Sequence, residues 1–307
     1  MTHSKLYKTA QNIITLGHTD LGALNDALDL TRSIRLEQSA EVDGKVVLDW
    51  QNLQDSLELT KLIRTECAGW IREHGDRNAV ELYRKSLLFD APHDLDCFCR
   101  YIEWNRDPKK RFYEPRRKQL KPIVDALQDL EDGKLELLTI STPPGIGKTT
   151  VALFDVMWVS GRNPHLSTLI GSHSASILRG MYGELLRIGQ KDGEYLYNDV
   201  FPESPIVETS SKDLQIDLGS SKRFSTIQMT SPGASNAGKS RASNYLYCDD
   251  LIEGLETAMS PERLDKLWQQ YTVDLRQRKI GVCKELHIAT RWSVRDVIGR
   301  LQAEYEE

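Results

Sequence analysis

The chain has 307 residues, a formal net charge of −5 and 39% hydrophobic residues. It is long enough to bury a large core and too acidic to coat nucleic acid over its whole surface, although a local basic patch stays open. No apolar run approaches membrane-spanning length, and Met1 to Gln11 mixes His3, Lys5 and Lys8 with polar residues, so neither a secretory signal nor an anchor is expected. Cys67, Cys97, Cys99, Cys248 and Cys283 lack paired Cys-x-x-Cys spacing and the seven histidines are scattered, so the expectation is a soluble intracellular protein with reduced thiols and no zinc site.

Residues 1 to about 110 go long stretches without Gly or Pro and carry helical apolar spacing at Leu53, Leu57, Leu59, Leu62, Ile63, Cys67 and Ile71, which predicts a helical region. A hairpin or loop around Glu41 to Lys45 interrupts it, and Ala91 to Asp94 marks a second break. A cationic run follows, with Arg106, Lys109, Lys110, Arg111, Arg116, Arg117, Lys118 and Lys121 interleaved with Phe112 and Tyr113. It reads either as a solvated helix face or as a surface for nucleic acid.

From Leu135 onward, strand-like runs alternate with helical stretches, the pattern of a mainly parallel sheet with helices on both faces. Strands are predicted at Leu135–Ser141, Leu166–His173, Phe224–Thr230, Tyr245–Asp249 and Leu286–Arg291. Helices are predicted at Thr149–Ser160, Ala175–Gln190, Pro261–Arg278 and Val294–Glu304, the first closed by Gly161-Arg162-Asn163-Pro164.

The first of these strands hands over to the first helix through Thr142, Pro143, Pro144, Gly145, Ile146, Gly147, Lys148, Thr149 and Thr150. Glycine-bearing loops in this context turn backbone N–H groups toward phosphate oxygens, assisted by the helix dipole, while a lysine reaches the β- and γ-phosphates and a hydroxyl ligates Mg²⁺. Lys148 and Thr149 fill those roles. Thr142 stands where the usual pattern has its first glycine, and the alternative is a Gly-Lys-Thr turn before an ordinary helix.

About a hundred residues on, the apolar strand Tyr245–Asp249 ends in Asp249 and Asp250. Phosphoryl transfer to water calls for two acidic functions, one to hold the metal and one to orient or deprotonate the attacking water. Asp249 is assigned to the metal and Asp250 to the water, with Glu253 in reserve one helical turn further on; the alternative is a pair that caps the next segment. A second Gly-Lys-Ser, at Gly238 to Ser240, follows a polar loop rather than a strand and is read as a mobile loop near the nucleotide or DNA, not as a second phosphate loop.

Taken together, Pro143-Pro144-Gly145-Ile146-Gly147-Lys148, Gly161-Arg162-Asn163-Pro164, Ser172-His173-Ser174, Ala237-Gly238-Lys239-Ser240-Arg241, Asp249-Asp250 and Thr290-Arg291-Trp292 occur in one order. In that set, from roughly Phe112 to the C-terminus, the chain resembles the ATPase domain of the large terminase subunit of tailed bacteriophages, the motor that pumps DNA into a procapsid.

The resemblance implies a P-loop NTPase of the additional-strand, catalytic-glutamate type, with residues 111–307 as the ATPase domain and residues 1–110 as a helical lid or docking region. It implies ATP and Mg²⁺ at the loop, Lys148 and Asp250 in catalysis, and Thr290 as a coupling residue facing the γ-phosphate. Gln119 would read adenine; a helix-surface glutamine and a strand-end threonine are the bland alternatives for Gln119 and Thr290. It further implies double-stranded DNA, a portal protein and a small terminase subunit as partners, a ring of like subunits, and action in the host cell cytoplasm.

Two departures qualify this. Gly145 occupies a place where the family often has an arginine, so the charge must come from elsewhere: Arg179 is the first candidate for a finger into a neighbouring subunit, with Arg241 and Arg291 behind it, and a solvated helix face is the alternative for Arg179. The chain also ends soon after Thr-Arg-Trp, so a nuclease domain is expected to be absent. A helicase or remodelling ATPase, or a nucleotide-dependent scaffold without turnover, are the competing functions.

Overall fold

The structure, a computed structural model, describes residues 4–17, 19–42, 45–233 and 240–306. The chain divides into two compact units, Met1–His93 and Asp94–Glu307.

In the first unit, α1 (Lys5–Leu16), α2 (Leu21–Leu36), α3 (Trp50–His74) and α4 (Arg77–Asp90) each begin at a Ser or Asp whose side chain accepts from the first turn: Ser4, Asp20, Asp49 and Asp76. Between α2 and α3 lies the expected hairpin, β1 (Ala40–Val42) antiparallel to β2 (Lys45–Val47). Leu24, Leu28, Ile34, Leu59, Ile63 and Cys67 form its core. A buried ionic knot completes it: the Asp90 carboxylate accepts from Arg35, Arg64 and the Thr60 hydroxyl. An unpaired charge in that position would be strongly destabilising.

The second unit opens with α5 (Leu95–Ile102) and α6 (Tyr113–Glu131). By contact, residues 94–110 go with the second unit. Asp96 on α5 is the physical reason: it accepts from the Tyr113 hydroxyl at 2.6 Å and from two nitrogens of Arg117 at 2.8 and 2.7 Å. Burial opposes ionisation of Asp96, yet Arg117 and Tyr113 together hold its carboxyl below the usual range.

Then follow β3 (Leu137–Ser141), α7 (Lys148–Arg162), β4 (Thr168–Ser172), α8 (Ala175–Gly189), a short α9 (Tyr197–Val200), β5 (Ile206–Ser210), β6 (Gln215–Leu218), β7 (Ile227–Thr230), β8 (Tyr245–Asp249), a short α10 (Leu255–Ala258), α11 (Pro261–Gln270), β9 (Lys284–Ala289) and α12 (Val297–Glu306). The strands build one seven-stranded sheet in the order β3-β9-β8-β4-β7-β6-β5. The first five run parallel, while β6 is antiparallel to both β7 and β5. This is an α/β unit with a mostly parallel sheet flanked by helices.

Both β4 and β8 are buried along their whole length, and α7 is buried from Val151 to Gly161, as expected for elements at the centre of a helix-covered sheet. The predicted helix Pro261–Arg278 remains α-helical only to Gln270, then becomes a π turn over Tyr271–Leu275 and a 3₁₀ turn over Arg276–Arg278. The Thr272 hydroxyl donates back to the carbonyls of Trp268 and Gln269, a competition with the helical ladder that bends it.

All five cysteines are buried and free. Among the described residues no helix is long and apolar enough to cross a membrane, and no group of three His, Cys, Asp or Glu side chains could hold a metal ion. The second Gly-Lys-Ser falls largely outside the described residues, as do Asp43 and Gly44 of the hairpin.

Candidate active site

Because β3, β9 and β8 are parallel neighbours, their C-terminal ends lie side by side. Ser141 stands opposite Ala289, and Asp249 opposite Ile288. The residues just past these ends are Thr142, Thr290 and Asp250, drawn from three distant stretches of sequence. Ligands of open α/β sheets bind outside the carboxyl ends of the strands.

Thr142 to Gly147 form a loop that two glycines make possible. Gly145 has φ +85° and Gly147 φ +99°, conformations that L side chains rarely adopt. At Gly147 a Cβ would also lie 2.5 Å from the Phe112 ring, so the aromatic packs directly on the loop backbone. The loop feeds the N-terminus of α7, which has no side-chain cap, and its first N–H groups are thus available to an anion.

Lys148, at 6% exposure, turns its ammonium back over this loop. It donates to the Thr290 hydroxyl at 2.8 Å and to the Thr142 carbonyl at 3.2 Å. The neighbouring Thr149 hydroxyl lies 3.3 and 3.2 Å from the two oxygens of Asp249. Burial pushes the Asp249 carboxyl up to about 6; the charge of Asp250 adds to the rise, while Thr149 and Lys148 oppose it.

Asp250 is held from three sides. Its N–H donates to the Ile288 carbonyl at 2.9 Å, its carboxylate accepts from the Thr290 N–H at 2.9 Å, and its carbonyl accepts from Nδ1 of His173 at 2.6 Å. It has φ +39°, in the left-handed region, which costs a non-glycine residue on the order of 1–3 kcal/mol and persists only where the surroundings enforce it.

Among the described residues, buried Oγ1 of Thr142 and Oγ of Ser172, which stands opposite Asp249 across the β4–β8 pair, have no partner. An uncapped helix start, positive-φ glycines, a buried lysine and orphaned hydroxyls form a donor set suited to phosphate. The Thr149 hydroxyl and Asp249 carboxylate are hard oxygen donors suited to Mg²⁺, which keeps water and phosphate as its remaining ligands.

The structure thus brings together Thr142, Gly145, Gly147, Lys148, Thr149, Asp249, Asp250 and Thr290, and leaves several other candidates apart. Gln119 is exposed on α6 and hydrogen-bonded to none of these residues. Glu253 is exposed, and the chain between Asp250 and Gly254 is not helical, so it does not stand one helical turn from Asp250 as expected. Arg179 is exposed on α8 without an ion pair among the described residues. Arg241 packs on the Phe224 ring, 4.6 Å from its centroid, and Arg291 is engaged by Asp296 and Gln302.

Most of the cationic run is spoken for. Arg106 pairs with Glu103 and Glu194, Lys110 with Glu194, Arg117 with Asp96, and Lys121 with Asp125. Arg111 donates to the carbonyls of Trp104 and Arg106. His173 and Ser172 are site residues to which sequence reasoning assigned no role; the only signal was the polar Ser-His-Ser at the end of an apolar strand.

No protein-family model matches the chain, and no curated protein does.

Proposed function

We propose that the chain is an ATP hydrolase with a P-loop of the additional-strand type, acting as the motor of a viral terminase that drives double-stranded DNA into a procapsid. The observation that carries the hydrolase reading is the three-strand constellation Lys148–Thr290, Thr149–Asp249 and Asp250–Thr290 at the carboxyl edge of the sheet. The additional-strand assignment is supported by β9, which lies between the strand of the phosphate loop and the strand of the twin aspartates.

In this reading the loop amides, the α7 N-terminus and Lys148 hold the phosphates. Thr149 and Asp249 would hold Mg²⁺, which when bound neutralises charge on the phosphate oxygens. Asp250 orients a water for in-line attack and accepts its proton. The ammonium of Lys148 leaves the Thr290 hydroxyl for phosphate, so occupancy of the loop is reported at the end of β9. Translocation of DNA, and docking to a portal and a small subunit, rest on the ordered motif set. Arg179, exposed and without an ion pair among the described residues, suits insertion into the site of a neighbouring copy, where such a residue accelerates transfer by about 10³–10⁵.

The test is phosphate release from ATP and Mg²⁺ by the wild type and by Lys148→Ala and Asp250→Ala, each with and without duplex DNA. Release by the wild type alone, stimulated by DNA and without strand displacement, supports the proposal. Equal release by all three proteins refutes the site, and strand displacement turns the reading to a helicase.

A further inference from the structure

Asp250 would be the water-orienting acid of the proposed hydrolase, and two of its three restraints are backbone groups at the end of β9: the carbonyl of Ile288 and the amide of Thr290, which follows the strand. The third is a side chain from a different strand. His173 follows β4 directly, and its Nδ1 lies 2.6 Å from the Asp250 carbonyl. A carbonyl oxygen can only accept, so Nδ1 carries the proton and the tautomer is set by this contact.

We infer that His173 is a positioning residue of the active site: by holding the Asp250 carbonyl it fixes the peptide plane of a left-handed residue, and so aims the Asp250 carboxylate. The inference rests on the hydrolase reading for its catalytic consequence and on geometry alone for the clamp.

The local chain shows why a histidine does this here. Ser172 is the last residue of β4 and is fully buried opposite Asp249, whereas Ser174 caps α8 by accepting from the Ile177 N–H at 3.3 Å. The residue between them is fixed on one side by the sheet and on the other by the helix cap. Its ring has little freedom to leave Asp250. Aspartate tolerates the left-handed region better than most residues, but only when it is held there. With the carbonyl released, the peptide after Asp250 can rotate, φ can relax toward negative values, and the carboxylate then swings away from the Thr290 N–H.

A group displaced by about 1 Å from its reacting partner can lose about 10²-fold in rate. His173→Ala is therefore expected to lower kcat for ATP hydrolysis by about ten- to a hundredfold, with nucleotide affinity and melting temperature unchanged. The conservative replacement is specific: the amide nitrogen of asparagine sits where Nδ1 does, and that of glutamine sits one bond further out. His173→Asn should recover most of the rate, and His173→Gln should not.

A second readout needs no turnover. Hydrogen exchange of the Thr290 and Asp250 amides, measured by NMR, should accelerate in His173→Ala and His173→Gln and stay slow in His173→Asn. Wild-type kcat in His173→Ala, or equal damage in Ala and Asn, overturns the inference. Should the wild type hydrolyse no ATP, the hydrolase reading fails, and unchanged amide exchange across the series would separately remove the clamp.

Discussion

The ammonium of Lys148 and the hydroxyl of Thr290, 142 residues apart in sequence, lie 2.8 Å from each other. In the proposed phosphate loop this lysine would have two alternative partners, the end of a neighbouring strand and a bound nucleotide. Thr290→Val should leave ATP binding intact, or slightly tighter because Lys148 is no longer held back, while abolishing stimulation of hydrolysis by DNA. Lys148→Ala should weaken binding by about 10- to 100-fold, the loss of a charge-assisted contact worth about 1.5–3 kcal/mol. Titration calorimetry on both variants checks the pair; equal losses of affinity would place Thr290 among the binding groups instead.

Gly147 is the most constrained position of the loop, for its φ and the Phe112 ring both exclude a side chain. Gly147→Ala should abolish nucleotide binding and lower the melting temperature by several degrees, because a left-handed non-glycine residue costs about 1–3 kcal/mol. Adding Phe112→Ala removes the clash and leaves the positive φ. Partial return of binding in the double variant would assign part of the damage to the ring, and no return would assign all of it to the backbone.

Asp155 lies in the middle of α7 with 0% exposure, and among the described residues neither carboxylate oxygen has a partner. Burial raises its pKa well above the usual carboxylate value, the nearby Glu131 raises it further, and Lys284 and Arg162 oppose the shift. The unfolded chain ionises this group near its ordinary value while the folded protein keeps it protonated, so folding grows progressively less favourable as pH rises above about 4. Asp155→Asn removes that slope. Calorimetric melting at pH 5 and pH 8 should show the variant gaining on the wild type at the higher pH, by about 2–4 °C for each 1 kcal/mol. A constant difference at the two pH values would contradict the assignment.

Arg179 is exposed and has no ion pair among the described residues, and a role in trans predicts complementation. Arg179→Ala and Lys148→Ala proteins, each inactive alone, should recover hydrolysis when mixed, and the wild-type rate per chain should rise steeply with concentration. Strict proportionality to concentration, with no gain on mixing, would return Arg179 to the role of a solvated surface residue.

The carboxyl edge of the sheet was legible because β8 is buried along its length and the loops beside it carry glycine, lysine and aspartate. Tyr245–Asp249 is apolar until it meets its aspartates, and β8 has those bounds. By contrast β5 and β6 escaped notice: Val207, Glu208 and Thr209 are exposed at the sheet's edge and carry no alternation that separates strand from loop. The two compact units divide at residue 93, and α5 is tied to α6 by scattered polar contacts, Asp96 with Tyr113 and Arg117 and Arg100 with Glu114, which leave no periodic trace. His173 stayed without a role because its partner is a backbone carbonyl 77 residues away, a contact that no motif spells out.

The interposed strand β9 also governs where motion can arise. Hydrogen-bonded along both edges, it cannot slide by itself: a one-residue slip would carry Thr290 about 3.3 Å along and turn its side chain to the opposite face. In the proposed motor, work would therefore leave the site downstream of the sheet. The segment after Thr290 is gathered around Asp296, which accepts the N–H groups of Trp292, Ser293 and Gly299 and an Arg291 nitrogen. That knot ties the turn after Thr290 to the first turn of α12, so in the proposed motor α12 would be the element through which a displacement of Thr290 leaves the site.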